Sequence, residues 1–323
     1  MPMTLPPALP LNTDFAGLLD GNFDFWDTGT SFAITASDEY CSDMWIANAG
    51  TGGSATVSQN IPTVGSEPQW ITRPRQYRTE FQQTVGASTN PMFGQKLENV
   101  YQYAGEIVCL SGTLSASSAG NWVVGIQAIQ NFGSGGSASV VTQQLNAWQI
   151  GTNENFFFTS ITIPSIAGKT IGTGSYIRFD LLLSTGATFT LTLSQLQIDR
   201  SSLLPFRYRG IALEYQRIIR RIWTYNAPSL SAFANGFAAN ATNAFAWDML
   251  PVQMATTPAV SVIAGGFSCL VVGAGTFTAV SFMANSRQSF QCSATISGGT
   301  ASQSAYFQGA NGTGGTLAFD ARL

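Results

Sequence analysis

The sequence predicts an all-β protein: a jelly-roll or β-sandwich domain, a short connecting helix and a second, small β-sandwich domain. Short stretches of alternating apolar and polar residues recur between turns rich in Gly, Ser and Asn, and a single stretch near residue 215 has helical periodicity. No repeat of fixed period is present, which disfavours a β-helix. A chain of 323 residues can form two domains with separate cores.

The chain is poor in charge. Only 10% of its residues are charged, against roughly 25% in an ordinary soluble domain, and it contains no histidine. Hydrophobic residues make up 45%, so neutral polar residues and Gly must cover the surface. Such a surface suits a protein held in an assembly or one that touches neutral partners such as sugars. A net charge of −3 predicts no nucleic-acid partner, and the longest apolar runs are too short for membrane insertion.

Residues 1–21 form a proline-rich leader. Four prolines among the first eleven residues favour an extended path, and the absence of Lys and Arg there argues against a secretory signal. Two interpretations stay open: the leader packs along its own domain, or it docks onto a larger assembly. We expect it to act as an anchor.

Residues 22–205 carry the strongest strand signals. Strands are predicted at 106–115, 121–130, 155–163, 176–184 and 187–198. The last of these alternates Thr with Phe or Leu from Thr188 to Leu193, and its apolar phase then shifts. An extra residue at 194–195, a β-bulge, accounts for the shift.

Residues 206–226 are assigned to the connecting helix, predicted over 210–225. One apolar stripe recurs at i, i+4, i+7 and i+11, formed by Ile211, Tyr215, Ile218 and Ile222. Six of the fourteen basic residues lie between Arg200 and Arg221. A phosphate-binding patch is one interpretation; the favoured one is that these arginines cover apolar surface and bond carbonyls or Glu214.

Residues 227–323 read as a second β domain that is nearly free of charge. Strands are predicted at 244–250, 259–263, 276–284, 289–296 and 316–323. After Trp223 the charged residues are Asp248, Arg287, Asp320 and Arg322. A symmetric homotrimer that buries this domain and the helical stripe at its three-fold axis would explain the composition.

The residue types limit the chemistry. Without histidine, Ser-His-Asp triads and His-ligated metal sites are excluded. Cys41, Cys109, Cys269 and Cys292 form no C-x-x-C pair, so we expect buried free thiols, with a Cys269–Cys292 bridge as the alternative. A glycosidase needs two carboxylates beside a cleft, and no spacing singles out a pair, so we expect no enzyme.

Sugar recognition needs less, because flat aromatic faces stack on pyranose rings and neutral amides bond hydroxyl groups. The candidates in the first domain are Trp70, Tyr77 and Trp148, although Trp in a sandwich is usually part of the core. Trp70 and Trp148 rank highest because polar residues surround them. In the C-terminal domain the remaining candidates are Trp247 and Tyr306.

Several motifs occur in an order that resembles a known family. They are GNFDFWDTGTSF at 21–32, DMW at 43–45, KLENV at 96–100, FGSGGS at 132–137, IPSIAGKT at 163–170 and QLQID at 195–199. EYQRIIR at 214–220 and DARL at 320–323 follow, with Ile218 in place of the usual Cys. Together they resemble phage and prophage tail-fibre or head-spike proteins with an N-terminal carbohydrate-binding-like jelly roll and a small C-terminal β domain.

The resemblance implies a virion subunit at the particle surface, anchored by its leader to a capsid or tail protein. It would be a homotrimer and would bind host-surface polysaccharide without cleaving it. The alternatives are a purely structural capsid-decoration or connector protein and, second, a capsular polysaccharide depolymerase. No cofactor is expected beyond a structural Ca²⁺, for which the resemblance implies Asp24 and Asp199 as ligands.

Overall fold

The computed structural model describes residues 17–63, 78–84, 89–200, 203–204, 206–277 and 279–322. Within these ranges the protein is all-β, with 22 strands and one helix. None of the helical structure in these ranges is long and apolar enough to cross a membrane. Most of the predicted leader, residues 1–16, lies outside the described residues.

The first domain is a sandwich of two six-stranded sheets, with strands numbered along the chain. The first sheet has the order β1 (Ser31–Ile34), β4 (Ser54–Asn60), β5 (Arg78–Thr84), β12 (Phe189–Arg200), β7 (Ile107–Ala116), β10 (Asn155–Thr162). The second has the order β2 (Glu39–Tyr40), β3 (Ile46–Asn48), β6 (Met92–Glu98), β11 (Tyr176–Leu183), β8 (Gly120–Asn131), β9 (Val140–Ile150).

Strands β5 to β12 have the topology of a jelly roll. They form the sheets β5-β12-β7-β10 and β6-β11-β8-β9, and neighbouring strands are antiparallel. The chain thus folds as if a long hairpin, closed at β8 and β9, had been wrapped into two sheets. This confirms the predicted jelly-roll fold.

The β-bulge in β12 is also confirmed. The register between β12 and β7 shifts between Ser194 and Gln197, and Gln195 has a φ of 54°. Leu191 and Leu193 face the core before the bulge, and Leu196 and Ile198 face it afterwards. Because the bulge inserts one extra residue, the core-facing positions change from odd to even numbers and the apolar side chains stay inside.

The helix is shorter than predicted. Helix α1 spans Ile211–Ile218, and strand β13 (Ile222–Ala227) begins where the periodicity predicted another helical turn. The predicted bounds of 210–225, and the connecting helix at 206–226, are therefore wrong at their C-terminal side. Residues 222–225 are Ile, Trp, Thr and Tyr, which all favour strands, and their backbone pairs with β22.

Two residues of the predicted subunit interface are buried inside the chain. Ile218 is 1% and Ile222 is 3% exposed, and both belong to the core of the first domain. They are therefore not available to a second subunit, which corrects the predicted stripe. Ile211 and Tyr215 are exposed on the same segment. The homotrimer itself stays a prediction.

The second domain is a smaller β-sandwich, as predicted. One sheet has the order β13, β22 (Gly315–Asp320), β16 (Ala259–Gly265). The other has the order β18 (Gly275–Phe277), β17 (Phe267–Val271), β21 (Ser304–Gly309), β14 (Ala232–Ala238), β15 (Asn243–Met249), β20 (Ser289–Thr295), β19 (Val280–Ala284). Strands β18 and β19 replace the single strand predicted at 276–284. A separate apolar core fills this sandwich.

The four cysteines are buried free thiols, which confirms the favoured interpretation. Cys269 and Cys292 both face the core of the second domain without forming the alternative bridge. Burial raises the pKa of the Cys269 thiol to about 11, so it stays protonated and inert at neutral pH.

Charged contacts join the two domains. The Arg322 guanidinium donates to the backbone carbonyl oxygen of Asp43 at 2.7 Å and lies 4.0 Å from the centre of the Tyr40 ring. Arg221 forms an ion pair with Glu98 at 3.1 Å.

Four of the six clustered arginines pair with carboxylates, namely Arg200, Arg207, Arg209 and Arg221. Arg209 pairs with Glu214 and Arg221 donates to the carbonyl oxygen of Arg217, as the favoured interpretation predicted. Arg200 and Arg207 pair with carboxylates that it did not name.

Candidate functional site

The tryptophans of the first domain are mostly structural. Trp45 lies in the core, and Trp122 stacks on Phe189 with ring centres 5.0 Å apart. Trp148, on β9, is half-buried and meets Phe157 edge to face at 6.3 Å. Trp70 and Tyr77 lie outside the described residues. A role for these side chains in sugar binding stays a prediction.

The two implied calcium ligands have other partners. Both carboxylate oxygens of Asp199 accept hydrogen bonds, one from Arg207 and the other from Gln197 at 2.5 Å. Asp24 accepts a hydrogen bond from the Asn22 side chain at 3.0 Å. The described residues contain no group of three or more metal-ligating side chains. This donor set fits Ca²⁺ poorly, because Arg207 already neutralises Asp199. Calcium binding stays a prediction.

Three carboxylates line a pocket between the N-terminal segment and α1, those of Asp20, Asp24 and Glu214. The Asp20 carboxylate accepts the backbone N–H of Asp24 at 2.6 Å, and Glu214 accepts the N–H of Asp20 at 2.6 Å. Arg209 donates to both oxygens of Glu214, at 3.1 and 3.2 Å. We name Asp20, Arg209 and Glu214 the N-terminal latch. Two of the three carboxylates thus hold the chain in place and are poorly suited to act as a catalytic pair.

The pocket disfavours the ionised form of the Asp24 carboxylate. Burial raises its pKa to about 6, and the nearby charge of Glu214 raises it too. Its ordinary value is 3.8. The folded protein therefore binds this proton more tightly than the unfolded chain does. The resulting contribution to stability is fully present below pH 3.8 and is lost as the pH rises through about 6.

We expect Asp24→Asn to stabilise the protein at pH 7 by about 1 kcal/mol, a value reduced for the partial exposure of Asp24. The variant cannot titrate at this position, so its advantage should vanish towards pH 4. Thermal unfolding at intervals from pH 4 to pH 7 measures the difference. Asp38→Asn is the control and should have the opposite effect, a loss of stability at pH 7. Burial alone would raise the pKa of Asp38, but hydrogen bonds from Arg178 and Asn48 lower it. An Asp24→Asn effect that does not vary with pH would contradict this account.

The outer face of the seven-stranded sheet carries large aromatic side chains. In β15, Ala244 and Ala246 face the core, whereas Phe245 and Trp247 face outwards. The same inversion occurs in β14, where Ala238 is buried and Phe237 is exposed. Small residues inside and large aromatic residues outside reverse the usual distribution, and they fit because phenylalanine rings from other strands fill the core. An exposed aromatic face of this kind is a candidate binding surface.

We name the outward-facing rings of Phe237, Phe245, Trp247 and Tyr306 the aromatic platform. Ring contacts join the first three, and Tyr306 lies on β21 of the same face, opposite Asn235. Trp247 lies 6.0 Å from Phe237 and 6.3 Å from Phe245, measured between ring centres, with interplanar angles of 35° and 29°. Phe237, Trp247 and Tyr306 are 43%, 51% and 36% exposed. Trp247 thus lies beside two rings at moderate tilts, and three of the four rings are exposed.

Polar neutral side chains surround the rings. Asn235 pairs with Tyr306 across the strands, Gln291 with Trp247, and Ser293 with Phe245. The described residues of this face include no charged side chain, since Asp248 occupies an inward position of β15. The face therefore offers stacking surfaces with amide and hydroxyl groups, which is chemistry that suits a neutral sugar.

Sequence reasoning named Trp247 and Tyr306 but missed Phe237 and Phe245. The signal was available, because Ala-Phe-Ala-Trp at 244–247 alternates small with large residues. Alternation shows that two faces differ, but the convention that large apolar residues face inwards assigns them the wrong way here.

Comparisons with known proteins find no relative by sequence and only distant structural matches. No protein-family profile matches the chain, and no curated protein matches its sequence. A structurally similar protein is the enzymatically active domain of bacteriophage CBA120 tailspike protein 4, at 10% identity and a TM-score of 0.35. The match covers 57% of this chain but only 21% of that one.

Two further structures come from Paenibacillus barcinonensis Xyn10C. Its CBM22-1 xylan-binding domain is 12% identical, with a TM-score of 0.31, and the match covers 54% of this chain and 95% of that domain. The tandem CBM22-1-CBM22-2 domain is 10% identical, with a TM-score of 0.34, and the match covers 88% and 95%. Because these TM-scores are low, neither fold nor function is inferred from them.

Proposed function

We propose that this protein is a fibre or spike subunit at the surface of a phage or phage-like virion, and that it binds a neutral host-surface polysaccharide without cleaving it. The observation that carries the proposal is the aromatic platform, with its exposed, adjacent rings and the neutral polar side chains around them. Pyranose rings would stack on Trp247 and Phe237, and sugar hydroxyl groups would bond Asn235 and Gln291.

The virion role is supported by the ordered motifs between residues 21 and 323, which resemble phage tail-fibre and head-spike proteins. In this proposal the leader attaches the subunit to a capsid or tail protein, and three subunits assemble as a homotrimer. The three platforms of one trimer would bind the polysaccharide together, so a weak affinity at each site would suffice.

We expect Trp247→Ala to weaken polysaccharide binding about tenfold or more, since it removes the central stacking ring. The side chain is half-exposed, so stability should change by less than about 1 kcal/mol. Affinity electrophoresis against a panel of neutral bacterial polysaccharides measures binding, and thermal unfolding measures stability. Phe156→Ala is the matched control, because Phe156 is an exposed aromatic residue on β10, in the other domain.

Two results would reject the platform as the glycan site. Loss of binding in Trp148→Ala with full binding in Trp247→Ala would place the site in the first domain. A change from trimer to monomer in Trp247→Ala, seen by sedimentation, would identify the platform as a subunit contact. The exposed Met249 and Met283 on the same face favour this second function, a purely structural virion protein.

A further inference from the structure

The second domain also contains a pocket, which is lined by other residues than those of the platform. It has a volume of about 240 Å³, and its walls are the rings of Trp223, Tyr225, Phe233 and Phe290 with the carboxylate of Asp248. We name it the Trp223 pocket. Its first two rings belong to the segment that sequence periodicity assigned to a helix, so the pocket exists because that segment is a strand.

The rings form a concave wall. Trp223 and Tyr225 are two residues apart on β13 and therefore share one face of the strand. The Trp223 and Tyr225 ring centres are 5.8 Å apart at an interplanar angle of 51°, and those of Tyr225 and Phe233 are 5.5 Å apart at 53°. The three rings are thus tilted against one another, and together they line the pocket. The wall is rigid from behind, since Trp223 stacks on Phe319 at 5.1 Å.

Asp248 brings a negative charge to this wall. It alternates with Trp247 on β15, so it points away from the platform. The pKa of the Tyr225 hydroxyl is raised by burial and by the charge of Asp248, which places the carboxylate near that ring. The Asp248 Oδ1 atom accepts the N–H of Met249 at 2.7 Å, and no described cation forms an ion pair with this carboxylate.

The other charged side chains of the domain are already engaged. Arg287 donates to the carbonyl oxygen of Met254 at 2.7 Å. Arg322 pairs with Asp320 at 2.6 Å. In a domain with so few charges, the Asp248 carboxylate lies against aromatic rings with no described cation paired to it. A ligand can supply that cation.

We propose that the Trp223 pocket binds an alkylammonium group, either a trimethylammonium or the protonated amine of an amino sugar. Aromatic faces attract cations through their electron-rich π systems, and several rings around one cation is a recurrent way to bind quaternary ammonium. Asp248 adds a full opposite charge. The pocket is smaller than the ~300–1,000 Å³ of sites for drug-sized ligands, which suits a small head group. This inference does not depend on glycan binding by the platform.

The first experiment needs no variant. Choline and 3,3-dimethylbutan-1-ol have the same shape, but a carbon replaces the cationic nitrogen in the second. Titrating each into the full-length protein, followed by NMR, should show saturable choline binding in the millimolar range. The neutral isostere should bind about tenfold more weakly or worse. Glucosamine compared with glucose tests the second source of the ammonium group. Equal binding of choline and its isostere, or no saturable binding of either amine, would overturn the proposal.

The second experiment locates the site. Asp248→Asn keeps the shape of the side chain and should weaken binding of the amine about tenfold. Tyr225→Phe keeps the ring and should bind nearly as well as the unmodified protein. Asp27→Asn is the matched control, because it removes the same charge in the other domain. Unchanged affinity in a folded Asp248→Asn variant would contradict the assignment. If that variant unfolds, the comparison of choline with its isostere still decides.

Discussion

Ile218→Asp is expected to unfold the protein rather than merely to dissociate subunits. Ile218 is 1% exposed and packs in the core of the first domain, where an aspartate would lose the apolar contacts and bury an unpaired charge. The expected loss is about 5 kcal/mol, comparable with the whole stability of many domains, ~5–15 kcal/mol. Denaturant unfolding and circular dichroism measure it.

Ile211→Asp is the control for this change. Ile211 lies on the same helix but is 47% exposed, so its substitution should leave stability within about 0.5 kcal/mol. If α1 contributes to a trimer, Ile211→Asp is the change that should weaken assembly without unfolding. If the Ile218→Asp protein stays folded but changes its oligomeric state, Ile218 lies in a subunit interface and not in the core.

Glu214→Ala is expected to open the N-terminal latch and to destabilise the protein by about 3 kcal/mol. The substitution leaves the N–H of Asp20 without its acceptor and Arg209 without its counter-ion, both at buried or half-buried positions. Urea unfolding should show the loss. Hydrogen exchange should show faster exchange of the amides of residues 17–25, because the latch holds this segment on the domain.

Two further variants define the cause. Glu214→Gln keeps an acceptor for Asp20 but loses the charge, so its effect should lie between those of the unmodified protein and Glu214→Ala. Gln216→Ala, an exposed position two residues away on α1, should change nothing measurable. Stability of Glu214→Ala within about 0.5 kcal/mol of the unmodified protein would show that the latch is not a stabilising contact.

Much of the fold followed from local patterns. Period-two alternation located the jelly-roll strands β7, β8, β10, β11 and β12, and the change of phase located the bulge at Gln195. The buried, unpaired state of the cysteines agrees with the absence of a C-x-x-C pair. These features depend on residues close together in the chain, so the sequence carries them directly.

The Trp223 pocket was harder to predict, because contacts between residues far apart in the chain form it. Residues 222–225 continue a helical stripe and also favour strands, and pairing with β22, about a hundred residues later, decides between them. That choice buries Ile222 and brings Trp223 and Tyr225 to Asp248.

By itself, then, the sequence determined that the chain is all-β, where its main strands run, and that its surface is neutral and polar. The tertiary structure alone decided which faces of β14 and β15 are buried. In β15 the core was already filled by rings from other strands, so alanines turned inwards and Phe245 and Trp247 outwards. Alternation is a local property, but the space that a side chain must fill is set by the whole fold.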